Sequence, residues 1–425
     1  MQIFFKIFKK SNYVKQVLLL LSGSVLAQIL TLAVTPILTR LYTLDAFGVL
    51  AVLLAIVSIL APGVGGRYEA AIVIVASIKD RKSLFVVSMW LVFLLSSIFL
   101  LAILISQESI ASLIGASALG EWLLVAPFML FLIGFVAILK AFSNAGEDYS
   151  LIARSAILQN LIVGVLGIAF GYFDLVENGL VLSSIGGLIV VCAYMVSRVN
   201  KLNKFDMRLR GNDLNVAWKY RDFPLFNAPS SILNGAMTSL PVFFLAKYFT
   251  EAIVGQYALL IRMGTAPLSL IAESVSQINL KKIATLINEQ RDPLPLFLKT
   301  TLVLFAIGVV PGSVICVFGP ELFVLVFGPK WRMAGELLAI LMPSLVVQFV
   351  VSTLSMSVVA TGRLRLQAVW QFISLIVTSV VFYYAALRGD IFDFFRMFMV
   401  KDMSLYILYY TMLLFAIKFP VKKSI

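Results

Sequence analysis

Apolar runs of about twenty residues, the length that crosses a bilayer as a helix, recur along the chain between short clusters of charged and amide residues. The pattern predicts twelve spans, at 16–38, 45–78, 84–105, 121–142, 155–173, 179–199, 224–246, 253–278, 294–317, 335–360, 368–387 and 394–417. The second is too long for one straight crossing. It holds Pro62, Gly63, Gly65 and Gly66, so a kinked or broken helix is expected just before Arg67. The GxxxG spacings Gly167/Gly171 and Gly308/Gly312 predict close helix packing.

Composition agrees with that pattern. Hydrophobic residues make up 61% of the chain and charged residues 13%, with a mean hydropathy of +1.01, which excludes a water-soluble domain. With the N-terminus inside, 25 of the 34 Lys and Arg fall on inner segments, 5 on outer ones and 4 within spans. The bias of basic residues toward cytoplasmic loops then predicts both termini on the cytoplasmic side. The net charge of +13 follows from this topology and holds short loops against an anionic leaflet. Its scatter excludes nucleic acid as a partner. The N-terminal FFKIFKK mixes aromatic and basic residues as an interfacial anchor does. It is not followed by a small-residue cleavage site, so the first span is expected to stay.

The chemistry of the chain is restricted. Cys192 and Cys316 lie in spans without metal-ligand spacing, and the chain contains no His. Imidazole base catalysis and haem ligation by His are therefore excluded. No phosphate loop of the GxxxxGK[ST] type occurs, so ATP is not the direct energy source. No catalytic residue, metal ligand or cofactor is expected, and the protein is read as not an enzyme.

The chain divides into an N-terminal six-helix half at 1–199, a basic cytoplasmic linker at 200–222 and a C-terminal six-helix half at 223–425. The second and eighth spans begin alike, LYTLDAFGVL against KYFTEAIVGQYA, each with Tyr, Thr, an acid, Ala and Gly in order. Six spans per half would run the two halves in parallel orientation about an axis normal to the membrane. The expected fold is an all-α integral membrane protein with this pseudo-repeat, N-in and C-in.

Ionisable residues inside spans are costly, roughly 2.5–3.5 kcal/mol on insertion scales, and mark functional sites by default. They are Arg67 and Glu69 in the first half and Arg262 and Glu273 in the second, with Arg396 and Lys401 near Asp393 and Asp402 in the last span. On a helix Arg67 and Glu69 would be splayed, because i,i+2 side chains do not face each other. Glu273 lies eleven residues beyond Arg262, about three turns along one face. Structural ion pairing across helices is the alternative use of these charges, and snorkelling accounts for Arg396 equally well. Amides in or beside spans, among them Asn160, Asn227, Gln256, Gln277 and Gln348, serve interhelical hydrogen bonds more commonly than cargo binding.

Several short motifs carry a resemblance over nearly the whole chain. They are Thr39-Arg40-Leu41-Tyr42 followed by Asp45-Ala-Phe-Gly48, Gly66-Arg67-Tyr68-Glu69-Ala-Ala-Ile72, and Tyr220-Arg221-Asp222-Phe223-Pro224-Leu225. Gly255-Gln256-Tyr257-Ala258, Arg262, Pro267 and Ser274-Val275-Ser276-Gln277 extend it into the second half. With these the chain resembles the Wzx-type flippases of polysaccharide biosynthesis, within the multidrug/oligosaccharidyl-lipid/polysaccharide exporter superfamily. The resemblance implies a MATE-like arrangement. It also implies translocation of undecaprenyl-diphosphate-linked repeat units of O-antigen or capsule, from the inner to the outer leaflet of the bacterial inner membrane.

A cavity presenting Arg67, Arg262, Tyr68 and Gln277 would then bind the diphosphate and glycan, and Glu69 and Glu273 would be the candidates for ion coupling. Membrane lipids, a polysaccharide polymerase and a chain-length regulator are the further partners implied. Other readings compete. A lipid II flippase is close but usually has additional spans beyond twelve, which the sequence does not show. An integral-membrane polymerase or glycosyltransferase is disfavoured by short outer loops without paired carboxylates. A drug or cation exporter of the same superfamily is disfavoured by the basic intramembrane excess.

Overall fold

The computed structural model describes residues 12–114, 117–203 and 208–419, and every regular element among them is helical. The FFKIFKK anchor lies outside the described residues. Two compact units divide the chain, Met1–Lys247 and Tyr248–Ile425.

In the first unit α1 (Asn12–Leu41) packs along α6 (Tyr149–Tyr172), and α6 in turn packs on α7 (Gly179–Asn203). Glycines bring these helices close. A Cβ on Gly167 would come within 3.1 Å of Leu38, and one on Gly171 within 3.0 Å of Leu41. This is the expected use of that GxxxG pair. Tyr42 is fully buried and its hydroxyl donates to the Gly167 carbonyl at 2.7 Å.

The second expected span is broken as its glycines predict. α2 (Leu44–Val64) ends at a turn, α3 (Tyr68–Ile74) is a short second piece, and α4 (Ile78–Ile114) follows after three residues outside any helix. α5 (Ala126–Ala145) packs against α2, α3 and α4.

The segment expected as a linker contains its own helix, α8 (Gly211–Lys219), packed against α4. Asp213 accepts from Ser83 Oγ at 2.6 Å, and Lys219 lies 3.6 Å from Asp80. Leu214 and Trp218, one turn apart, are exposed on its other side at 53% and 69%. A helix forms because α4 gives it a surface to pack on, which a solvated loop lacks.

Eleven helices among the described residues are long and apolar enough to cross a membrane, so the chain is an all-α, multi-spanning membrane protein. They coincide with eleven of the twelve expected spans. The other, expected at 224–246, is a π-helical turn, Phe223–Asn227, leading into α9 (Ala228–Tyr248). This helix has the length of a span, but Ser230, Ser231, Asn234, Thr238 and Ser239 dilute its apolar character.

The second unit contains α10 (Glu251–Asn288), α11 (Leu294–Phe327), α12 (Arg332–Leu354), α13 (Ser357–Thr361), α14 (Leu364–Leu387) and α15 (Ile391–Lys418). The Thr shared by the two similar span starts caps a helix in each unit. Thr43 Oγ1 accepts from Ala46 N at 3.2 Å and Thr250 Oγ1 from Ile253 N at 3.4 Å, with Asp45 and Glu251 in the respective first turns. Both patterns suit an N-terminus, since cap oxygens satisfy orphan amides and acids meet the positive end of the dipole.

Gln256 in α10 donates to the Lys330 carbonyl and accepts from Ala334 N, each at 2.9 Å, and so fixes the turn between α11 and α12. A buried amide is here an interhelical clamp. The two helices of this turn meet backbone to backbone, since a Cβ on Gly335 would lie 2.7 Å from Pro320 Cα and also strike the Gly319 carbonyl. Backbone cannot move aside as a side chain does. Gly335→Leu is therefore expected to exceed the usual overpacking cost of about 1–3 kcal/mol and to lower the thermal unfolding midpoint of the purified protein. An unchanged midpoint would show that the two helices can separate freely.

Candidate functional site

The break between α2 and α3 places a charge where the backbone is special. Gly66 and Arg67 both take left-handed conformations, with φ of +66° and +58°. Glycine adopts this region freely, whereas an L-residue does so at a cost of roughly 1–2 kcal/mol. Arg67 thus occupies a position whose backbone favours Gly, and such outliers cluster where a side chain is needed.

The guanidinium is held from two sides. Nε donates to Asn227 Oδ1 at 3.1 Å, and Nη1 lies 3.7 Å from Glu69 Oε1. The expected splaying of Arg67 and Glu69 does not occur. That expectation assumed a helix through both residues, and Arg67 instead precedes α3 in the left-handed region. Its side chain is 31% exposed and that of Glu69 16%. The other Glu69 oxygen, Oε2, is buried without a hydrogen-bond partner among the described residues. Gly65 makes room for it, because a Cβ there would sit 3.0 Å from Oε2.

Two neighbouring elements hold this break in place. Gly63 and Gly235 allow α9 to cross α2 closely, since a Cβ on Gly63 would strike Ile232 and one on Gly235 would lie 2.7 Å from the Ser58 carbonyl. That crossing brings the π-helical turn and its Asn227 to Arg67. From the other side, Tyr68 is buried and its hydroxyl donates to the Ala217 carbonyl of α8 at 3.0 Å. Asn227 was visible only as one amide among several, and nothing in the local pattern marked α8 as a support.

In the second unit Arg262, Glu273 and Gln277 are all exposed on α10. No hydrogen bond or ion pair holds any of the three among the described residues. Arg262 and Glu273 are ~17 Å apart along the axis at 1.5 Å rise per residue, so they share a face without pairing. Arg396 is 65% exposed and bonds Asp393 at 3.1 Å one turn earlier.

Lys401 behaves differently. Only 7% exposed, it contacts Asp402, donates to Thr378 Oγ1 at 3.3 Å and lies over the rings of Phe382 and Phe398 at 4.7 and 4.6 Å. Thr378 and Phe382 lie on α14, so the buried charge ties α14 to α15. The described residues contain no His/Cys/Asp/Glu group able to hold a metal ion.

The family described as polysaccharide biosynthesis protein matches residues 37–336, which include the α2–α3 break, α8 and all of α10. The chain belongs to this family. No curated protein matches it. Solved structures add the fold of this polysaccharide biosynthesis protein. An inward-facing multidrug resistance MATE family transporter of the MOP superfamily is 16% identical over 94% of this chain and 96% of that one, with a TM-score of 0.75. The lipid II flippase MurJ in an inward closed conformation is 13% identical over 94% and 87%, with a TM-score of 0.76. A MOP superfamily transporter from Pyrococcus furiosus, noted for the reverse polarity of its binding pocket, is 14% identical over 95% of both chains, with a TM-score of 0.61. At these identities the likeness is one of fold.

Proposed function

We propose that this polysaccharide biosynthesis protein is a flippase that moves undecaprenyl-diphosphate-linked oligosaccharide repeat units from the inner to the outer leaflet of the bacterial inner membrane. Arg67 is the observation that carries the reading. It is a partly exposed guanidinium, held by Asn227 and Glu69 at a helix break inside an otherwise apolar sequence. Its remaining N–H donors suit a phosphate, to which Arg offers a planar bidentate fork. Family membership supplies the polysaccharide context, and the MurJ-like fold supports a lipid-linked cargo.

In this reading α9 is the twelfth span, both termini are cytoplasmic, and six-helix halves at 1–199 and 223–425 joined through 200–222 alternate access by rocking. Arg262 and Gln277 are exposed on α10 and are the cargo-binding candidates of the second unit, as Arg67 is of the first. Tyr68 contributes through its hold on α8. Glu69 and Glu273 are the carboxylates available for coupling to protons or cations. An inside-negative potential alone favours outward movement of an anion by about 2.3 kcal/mol per charge per 100 mV. A polymerase and a chain-length regulator are its expected partners.

The test is deletion of the gene in its host, scoring surface polysaccharide and the leaflet in which the lipid-linked repeat accumulates. Complete repeats held on the cytoplasmic side, with surface polymer lost, are expected. Complete repeats reaching the outer leaflet unpolymerised would overturn the reading in favour of a polymerase. Normal surface polymer with new drug sensitivity would favour an exporter.

A further inference from the structure

Within the second unit, α14 and α15 lie side by side and leave an open groove of about 660 Å³ between them. Its volume is in the range of ordinary ligand pockets, roughly 300–1,000 Å³, yet its walls are almost wholly hydrocarbon. Ile373, Val377 and Val381 of α14 face Met397, Val400 and Leu408 of α15. Val400 and Leu408 are exposed at 57% and 41%, so the trough is open along its length.

One end of the groove is charged, where Arg388, Asp393 and Arg396 come together at the connection between the two helices. The charges do not cancel. Asp393 neutralises Arg396 at 3.1 Å, and Asp402 neutralises Lys401 on the groove wall. Arg388 lies 5.4 Å over the Tyr384 ring and has no carboxylate within ion-pair distance among the described residues; Asp390, two residues on in the same connection, instead caps α15 by accepting from Phe392 N at 3.1 Å. The groove therefore combines a hydrocarbon trough with one uncompensated guanidinium at its mouth.

We propose that this groove binds a phospholipid with a singly negative headgroup, of the phosphatidylglycerol type. One acyl chain fills the trough and the phosphodiester meets Arg388. The trough offers no amide or ring of hydroxyls that would select a sugar; among its lining, Ser404 is the one uncharged polar side chain. A single free guanidinium matches a single phosphodiester charge. A zwitterionic headgroup brings a cation beside Arg388 and Arg396, and a diphosphate brings more negative charge than this end balances. Basic sites between membrane helices bind anionic headgroups on this electrostatic basis. The inference concerns a resident lipid and stands apart from the identity of the cargo.

The full-length protein, purified in detergent and stripped of lipid, is exposed to dioleoyl phosphatidylglycerol and dioleoyl phosphatidylcholine in equal amounts. Retained lipid is then counted by native mass spectrometry. One tightly retained phosphatidylglycerol is expected, preferred about five-fold over phosphatidylcholine, the attraction of roughly one basic residue for an anionic headgroup. Arg388→Ala, at an exposed position, should abolish the preference without changing the unfolding midpoint. Val377→Trp, which fills the trough, should lower retention of both lipids. Equal retention of the two lipids by the unaltered protein would overturn the proposal, as would an Arg388→Ala variant that keeps the preference. Displacement of the retained phosphatidylglycerol by equimolar undecaprenyl diphosphate would overturn it in favour of a cargo site.

Discussion

Replacing Lys401 with Met is expected to destabilise the purified protein by about 3–5 kcal/mol, the cost of stranding one member of a buried ion pair. The Lys401 side chain is 5% exposed and that of Asp402 17%. Removing the ammonium leaves a carboxylate with little water and no counter-charge at its side. It also removes the hydrogen bond to Thr378 and two cation–π contacts, to Phe382 and Phe398, each worth about 0.5–2 kcal/mol where desolvated. Met fills most of the volume, so the loss is electrostatic rather than a cavity effect. The double replacement Lys401→Met with Asp402→Asn should therefore recover most of the stability. Thermal or denaturant unfolding in detergent reads both variants. A single variant no less stable than the double would show that the pair contributes no coupling. If the double variant folds normally but surface polysaccharide is still lost, the pair serves transport as well as packing.

Arg67→Gly is expected to separate stability from function. Arg67 holds φ at +58°, so Gly relieves a cost of roughly 1–2 kcal/mol. That relief offsets part of the cost of leaving Glu69, 16% exposed, without its guanidinium. The variant should be made at normal levels with a smaller loss of stability than Lys401→Met shows. Transport should fall by about ten-fold or more, since hydrogen bonds to charged groups contribute roughly 1.5–3 kcal/mol and 1.4 kcal/mol is a factor of ten. Arg67→Lys should fall between, because it keeps the charge and the backbone strain but loses the fork. The measurement is surface polysaccharide at matched protein level. Full polysaccharide with Arg67→Gly would remove this guanidinium from the mechanism. A loss matched by unfolding would make its role structural.

Much of the fold was legible because bilayer crossing is a one-dimensional requirement. Twenty apolar residues in a row satisfy it wherever they occur, and eleven helices meet it where expected. The break before Arg67 was also readable, since Pro62 and three glycines, Gly63, Gly65 and Gly66, cannot continue a helix without cost. α8 was not, because nine residues of mixed charge form a helix only where α4 and Tyr68 provide something to pack on. The partners of the charges were hidden for a related reason. Periodicity denies contact to residues two apart, yet Arg67 reaches Glu69 because the backbone between turn and helix is not periodic. Lys401 and Asp402 are neighbours in sequence, but Thr378 and Phe382, 23 and 19 residues earlier, complete their site.

Sequence by itself determined that this is a multi-spanning helical membrane protein with a few costly charges, because hydropathy acts locally and needs no knowledge of neighbours. Only the tertiary structure decided what each charge does. Asn227 is brought to Arg67 by the crossing of α9 over α2 at Gly63 and Gly235, Lys401 is enclosed by α14, and Arg388 is left uncompensated at the mouth of an apolar groove. In each case the energy of a charge is set by the groups within a few ångströms of it, and those groups come from distant parts of the chain.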